Sequence, residues 1–199
     1  MTEKQRRVLD AAMEVFAERG YAGASTAEIA KRAGVAEGTV FKTYKTKKDL
    51  LLGIVAPMFA RTVAPLLLED VKKIVAAPHA TFEEFLLALY SNRVEFIRSH
   101  QRIVRIAMQE VPFHDEVREL AKSTLAANVL PDVVAMIHRF QARGEIRKDA
   151  DEMSLVRLIV GTFMAYVVAS VLVAPTHGFD DAAEVKLMAS VIAQGLRPS

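Results

Sequence analysis

Lys42, Lys45, Lys47 and Lys48 are interleaved with the aromatics Phe41 and Tyr44, and the hydroxyls of Thr26, Thr39 and Thr43 lie just upstream or among them. Ammonium groups beside hydroxyls and a phenol suit one chemistry above others, the binding of phosphate oxygens. A solvated lysine-rich loop has the same composition, so charge alone leaves both readings open. The asymmetry of charge points the same way. Residues 1–50 carry 10 Lys and Arg against 7 Asp and Glu, whereas the rest of the 199-residue chain carries 16 against 17.

Other chemistries are poorly served. The absence of cysteine excludes disulfide frameworks, thiolate metal centres and cysteine nucleophiles. The histidines His79, His100, His138 and His177 show no ligand spacing, and Glu110 and His114 are four apart where a di-metal carboxylate site needs Glu-x-x-His pairs. Glycine-rich phosphate loops and nucleophile elbows do not occur. The sequence therefore predicts a protein that is not an enzyme, with no cofactor and no metal. No apolar segment followed by a small-residue cleavage site opens the chain, so a cytoplasmic location is expected. A mean hydropathy of +0.20, high for a chain with 25% charged residues, predicts extra buried surface at a subunit interface.

The elements that must position the lysines are helical, and the fold class expected is all-α. Val8, Ala11, Ala12, Val15 and Phe16 recur at helical spacing up to Gly20. Ser25-Thr-Ala-Glu28 reads as a capping box opening a second helix that Gly34 ends. Gly38 to Phe41 predict a short third helix, and Thr46 a cap for a fourth. Two short helices across a tight turn at Gly34-Val35 have the geometry that sets the second of them into the DNA major groove. Beyond Lys47, Pro57 and Pro65 predict a kinked connector. Further helices are expected at 81–98, 101–110, 114–143 broken at Pro131, 151–173 and 180–195.

The run Thr26-Ala-Glu-Ile-Ala-Lys-Arg-Ala-Gly-Val-Ala-Glu-Gly-Thr-Val-Phe-Lys-Thr-Tyr-Lys-Thr-Lys-Lys-Asp-Leu-Leu-Leu52, preceded by Val8-Leu-Asp-Ala-Ala and Phe16-Ala-Glu-Arg-Gly-Tyr21, resembles the TetR/AcrR family of bacterial transcriptional regulators. The resemblance implies a helix-turn-helix DNA-binding domain over residues 1–46 and a helical ligand-binding and dimerisation domain over 47–199. It implies a homodimer that represses from a palindromic double-stranded operator and is released by a small-molecule effector. DNA contacts are carried over to Thr26, Ala27, Glu37, Gly38, Thr39, Lys42, Thr43, Tyr44 and Lys47, with Thr39 and Lys42 toward base edges and Thr26, Tyr44 and Lys47 toward phosphates. Three positions depart from the family. Phe41 stands where a phosphate-binding tyrosine is common and is expected to pack instead; Ala36 replaces a common serine cap; Glu37 replaces a frequent lysine, and either accepts from cytosine N4 or favours the helix dipole.

Leu158 to Val173 carries no charge and nearly reaches membrane-spanning length. Its small residues at four-residue spacing, Gly161, Ala165 and Ala169, suit close helix approach, so no membrane is expected. With Val185, Met188 and Ile192 of the last helix they form either an intramolecular core or a dimer interface, and a palindromic operator favours the dimer. Apolar stripes carrying aromatics or stray polar groups predict an effector pocket from Phe85, Leu89, Arg93, Phe96, Asn128, Phe163 and Tyr166, with Phe82, Thr124 and Phe140 nearby; plain core has the same pattern. The effector expected is largely apolar. Arg93 reads either as a partner for an anionic ligand or as one end of a structural salt bridge to a glutamate.

Overall fold

The computed structural model describes residues 2–58, 64–113, 115–174 and 178–198. Among these every regular element is helical. The order is α1 (Glu3–Gly23), α2 (Thr26–Ala33), α3 (Glu37–Thr43), α4 (Lys47–Met58), α5 (Ala64–Ala76), α6 (Phe82–Ser99), α7 (Gln101–Glu110), a 3-10 turn (Val111–Phe113), α8 (Asp115–Asn128), α9 (Leu130–Ala142), α10 (Glu152–Val167), a π turn (Val168–Val173) and α11 (Asp181–Gly195). The chain divides into two compact units, Met1–Pro65 with His100–Ser123, and Leu66–Ser99 with Thr124–Ser199.

In the first unit α1 packs against α2, α4 and α7. Its inward stripe is the one the periodicity marks: Val8, Ala11, Ala12, Val15 and Phe16 are buried, together with Ile29, Ala30 and Ala33 of α2, Val40 of α3 and Leu50 and Leu51 of α4. The small side chains Ala11, Ala12, Ala30 and Ala33 let these short helices approach closely. Helix α1 extends past its expected stop, but Gly20 at φ 67° and ψ 171° leaves helical geometry there, so only a single turn follows the glycine. Gly34, left-handed at φ 65° and ψ 40°, closes α2, and the Val35 N–H donates to the Ala30 carbonyl at 3.1 Å.

Two capping expectations came out differently. Ser25 occupies the N-cap of α2 but its hydroxyl makes no capping hydrogen bond. Glu28 is drawn away instead, to Arg32 at 3.0 Å and Arg19 at 3.0 Å, because two guanidinium groups outweigh a single backbone amide. A capping box does form at Thr2 and Gln5, which open α1. At α4 the expected Thr46 cap is present: the Asp49 N–H donates to Thr46 Oγ1 at 3.0 Å and the Thr46 N–H to Asp49 Oδ2 at 3.0 Å.

In the second unit α6 packs on α11, and α10 on α9 and α11. Phe82, Phe85 and Phe140 form an aromatic cluster with centroids 5.2 to 6.1 Å apart. Tyr90 stacks on Phe163 at 5.4 Å, and its hydroxyl donates to the Ile159 carbonyl at 2.8 Å. The break in the 114–143 segment precedes Pro131, which takes an early position of α9 where its missing N–H leaves no intrahelical bond unmade. Pro65 likewise sits in the first turn of α5, and Pro57 in the last turn of α4; the middle of the connector, residues 59–63, lies outside the described residues.

Candidate nucleic-acid interface

Helices α2 and α3 meet across the three-residue turn Gly34–Ala36 with Ile29, Ala33 and Val40 turned inward. What remains outward is polar. Glu37, Gly38, Lys42 and Thr43 are exposed, as is Ala27; Thr26 and Thr39 are half-buried. Thr39, Lys42 and Thr43 stand at i, i+3 and i+4 and so share one face of α3. A Cβ built on Gly38 meets nothing within 4 Å, which leaves that face open to close approach. On the opposite side Arg32 holds α2 to α1 by a two-pronged contact with Glu18, its Nη1 and Nη2 at 2.9 and 2.6 Å from the two carboxylate oxygens. This pairing lowers the Glu18 pKa and raises that of Arg32. Since both groups lie at the surface, the clamp fixes orientation more than it adds stability.

Several side chains are engaged within the chain itself. Thr26 Oγ1 donates to Glu37 Oε1 at 2.9 Å, tying the start of α2 to the start of α3. The Tyr44 ring lies against Gly53, where an added Cβ would come within 2.5 Å of Cε1, and burial raises the phenol pKa. Gly53 is a position that sequence reasoning missed, since a glycine inside a helical pattern carries no sign of what crosses it. Lys47 Nζ donates to the carbonyls of Ala24 at 3.1 Å and Ala22 at 3.4 Å and sits 4.5 Å over the Tyr21 ring. It therefore caps the corner after α1 as well as standing near the other lysines. Phe41 corrects an expectation: rather than packing, its ring is 43% exposed, because only Val40 of the pair turns into the small core of this unit.

The candidates for an effector site lie on α6, α8 and α10. Phe85, Phe163 and Tyr166 are buried, Leu89, Phe96 and Asn128 half-buried. Phe85 and Phe163 belong to the aromatic packing described above. The Tyr166 hydroxyl donates to Asp181, whose carboxylate also accepts from Arg98 Nε at 2.8 Å; the phenol is thereby committed to joining α6, α10 and α11. Arg98 lowers the Asp181 pKa, and burial raises that of Tyr166. Arg93 is 8% exposed. Its Nε and Nη2 donate to Asn92 Oδ1, Nη2 stands 3.7 Å from Asp70, and the group lies 5.3 Å over Phe96. Its Nη1 is buried with no hydrogen-bond partner among the described residues, and burial lowers the guanidinium pKa. The carboxylate facing Arg93 is thus Asp70 rather than the glutamate expected, and it satisfies the guanidinium only in part. His114 and the side chains of Glu110 and Thr124 lie outside the described residues.

The sequence model of the family described as bacterial regulatory proteins, tetR family, matches residues 8–54, the span that builds α1 to α4. Over that span the chain is similar to the TetR family. Its relatives include the fatty acid metabolism regulator protein of Bacillus subtilis (strain 168), 27% identical over 164 residues that cover 80% of this chain and 79% of that one. Another is the uncharacterized HTH-type transcriptional regulator YuxN of the same organism, 24% identical over 147 residues; the matched region takes in 73% of this chain but only 48% of that relative. Among solved structures, the transcriptional regulator FadR from Bacillus subtilis in complex with stearoyl-CoA superposes with a TM-score of 0.69 at 24% identity, covering 96% of this chain and 99% of the other. That likeness carries the fold. The relatives it matches are transcriptional regulators rather than enzymes.

The helices that follow differ from the interface in kind. Glu152–Val173 is long and apolar enough to cross a membrane by length and composition, with a mean hydropathy of 2.1 over its most apolar 18 residues. Its outward side carries Leu158, Val160, Met164 and Val168, with Gly161 and Ala165 exposed between them and Ala169 half-buried. On α11, Leu187 and Val191 are 61% and 57% exposed. Val185 and Met188, expected on the shared face, turn into the chain's own core at 3% and 8% exposure, and Ile192 is half-buried. The face that α11 presents is therefore one helical step from the one the periodicity suggested.

Proposed function

We propose that this regulator is a cytoplasmic homodimeric repressor that binds a palindromic operator and leaves it when a long-chain acyl effector is bound. The functional division is 1–46 for DNA binding and 47–199 for effector binding and dimerisation. The observation that carries the reading is the α2–α3 surface, where an alanine-lined core turns Thr39, Lys42 and Thr43 outward on one face of the second helix of a helix-turn-helix. Thr39 and Lys42 read base edges; Thr26, Tyr44 and Lys47 bear on phosphates; Ala27, Gly38 and Thr43 line the contact. The exposed apolar residues of α10 and α11 are covered by a second copy, since a palindrome demands two-fold symmetry and one copy leaves Leu187 and Val191 in water.

The effector class is supported by the names of two similar proteins, one a fatty acid metabolism regulator and one solved with stearoyl-CoA. Within this chain the apolar stripes of Phe85, Leu89, Phe96, Phe163 and Tyr166 suit an acyl chain held by burial, with Asn128 and the unpaired Nη1 of Arg93 orienting a polar or anionic end. Binding lowers DNA affinity by favouring a dimer whose two α3 helices no longer match successive major grooves, about 34 to 36 Å apart. The test is gel retardation with the DNA upstream of the gene, with and without stearoyl-CoA. Specific retardation that the ligand abolishes supports the reading; no retardation in any sequence context removes it.

A further inference from the structure

Glu37 is held differently from two glutamates that tie α1 to α2. Glu18 and Glu28 each face guanidinium groups, Arg32 for the one and Arg32 with Arg19 for the other. Glu37, exposed at the start of α3, is held by a neutral hydroxyl, that of Thr26. Thr26 has one proton to give. While that proton goes to Glu37 it cannot go to a phosphate, and phosphate oxygens offer none in return. On the free protein, therefore, one of the groups assigned to the backbone of DNA is occupied by a carboxylate that phosphates repel.

We propose that Glu37 is a sequence-determining residue that exchanges its hydrogen bond from Thr26 for one from the N4 amino group of a cytosine, releasing the Thr26 proton to a phosphate only when that cytosine is present. This rests on the DNA-binding reading above. The exchange replaces one hydrogen bond to an anion with two, one at Glu37 and one at Thr26. It fails on other bases for a stated reason. Guanine and thymine present acceptors in the major groove, and the adenine amino group is flanked on both sides by acceptors, its own N7 and the O4 of the paired thymine, which repel a carboxylate; cytosine N4 has an acceptor, guanine O6, on one side only. Without the cytosine, Glu37 keeps the Thr26 proton and stays negative against the phosphates, so the wrong base costs two contacts at once.

The test is selection of binding sites from a random-sequence duplex library by the full-length protein and by Glu37→Ala, Glu37→Gln and Thr26→Val, each first matched to the parent by thermal melting. The parent selects a two-fold motif with a cytosine fixed at one position of each half-site. In Glu37→Ala that position alone loses its preference, and duplexes lacking the cytosine gain about 10-fold in affinity relative to the parent, within the range of one base contact. Glu37→Gln moves the preference toward adenine, which pairs with a side-chain amide. Thr26→Val weakens the parent on cytosine-containing duplexes and leaves it nearly unchanged on duplexes without it. The same cytosine preference in Glu37→Ala, or an equal effect of Thr26→Val on both duplexes, overturns the proposal. A parent that selects no motif at all overturns the DNA-binding reading itself.

Discussion

The α2–α3 surface and the α10–α11 face are both solvent-exposed in the single chain, yet they are built from opposite residues. The first turns Thr39, Lys42, Thr43 and Glu37 outward over a core to which α2 and α3 give only two alanines, one isoleucine and one valine; the second turns Leu158, Val160, Met164, Leu187 and Val191 outward while aromatics fill its own core. A polar face on a small core is suited to a polyanion, whose contacts are hydrogen bonds and ion pairs that salt weakens. An apolar face on a large core is suited to another protein surface, whose contacts are dispersion and water release that salt leaves alone. The two proposed interfaces are thus distinguishable by how they respond to salt and to a charge placed in them.

The strongest way to break the comparison is a charge in the apolar face. Val191→Glu, at a position 57% exposed in the single chain, spares the protomer fold while placing a carboxylate in the proposed subunit contact. Sedimentation is expected to show monomers, and operator affinity to fall by about 100-fold or more through loss of the second half-site. A dimer that still binds the operator would place the subunit contact elsewhere.

Gly53→Ala probes the support of the polar face. The added methyl meets the Tyr44 ring at 2.5 Å, so the ring must shift and the melting free energy falls by about 1 to 3 kcal/mol, as for other overpacked sites. An unchanged melting curve would mean that the ring moves aside at no cost.

Lys47→Ala acts on both stability and binding. Removing its ammonium from the Ala22 and Ala24 carbonyls is expected to lower the melting temperature slightly, and removing the proposed phosphate contact to reduce the salt slope of DNA binding by about one while weakening all sequences alike. A fall in melting temperature with an unchanged salt slope would confine Lys47 to its structural role.

The smallest effect is expected at Asp181. Arg98 holds its folded pKa below the usual carboxylate value, so the contact contributes stability above the unfolded pKa of about 4 and loses it as pH falls through the folded value. Asp181→Asn should flatten the pH dependence of melting below about pH 4 and leave stability near neutrality lowered by no more than about 1 kcal/mol, since the pair is partly solvated. An unaltered acid profile would show that the pair carries no linkage.

What the sequence made legible followed the range of the interactions involved. The stripe from Val8 to Phe16, the αL turn at Gly34 and the Thr46 cap depend on neighbours within a few residues, and each is present. Ser25 and Glu28 satisfied the same local rule and failed it, because Arg19 and Arg32 compete from outside the window in which a cap is read. Long-range partners left no trace: Arg98 and Asp181 are 83 residues apart, and nothing in the α10 periodicity says that the Tyr166 hydroxyl is taken by that pair rather than offered to a ligand. Val185 and Met188 illustrate a further limit. Apolar residues on both sides of α11 leave its inward side to be chosen by its neighbours, and α6 and α10 chose these two.

The measurement closest to the centre of this account is the mass of the protein alone and on a short palindromic duplex selected by it, at low and high salt. Two chains in free solution at both salt concentrations, and two chains per duplex at low salt that leave the DNA as an intact dimer when salt is raised, are what a polar DNA face and an apolar subunit face predict. One chain per duplex, or a dimer that falls apart with salt while the DNA stays bound, would contradict it.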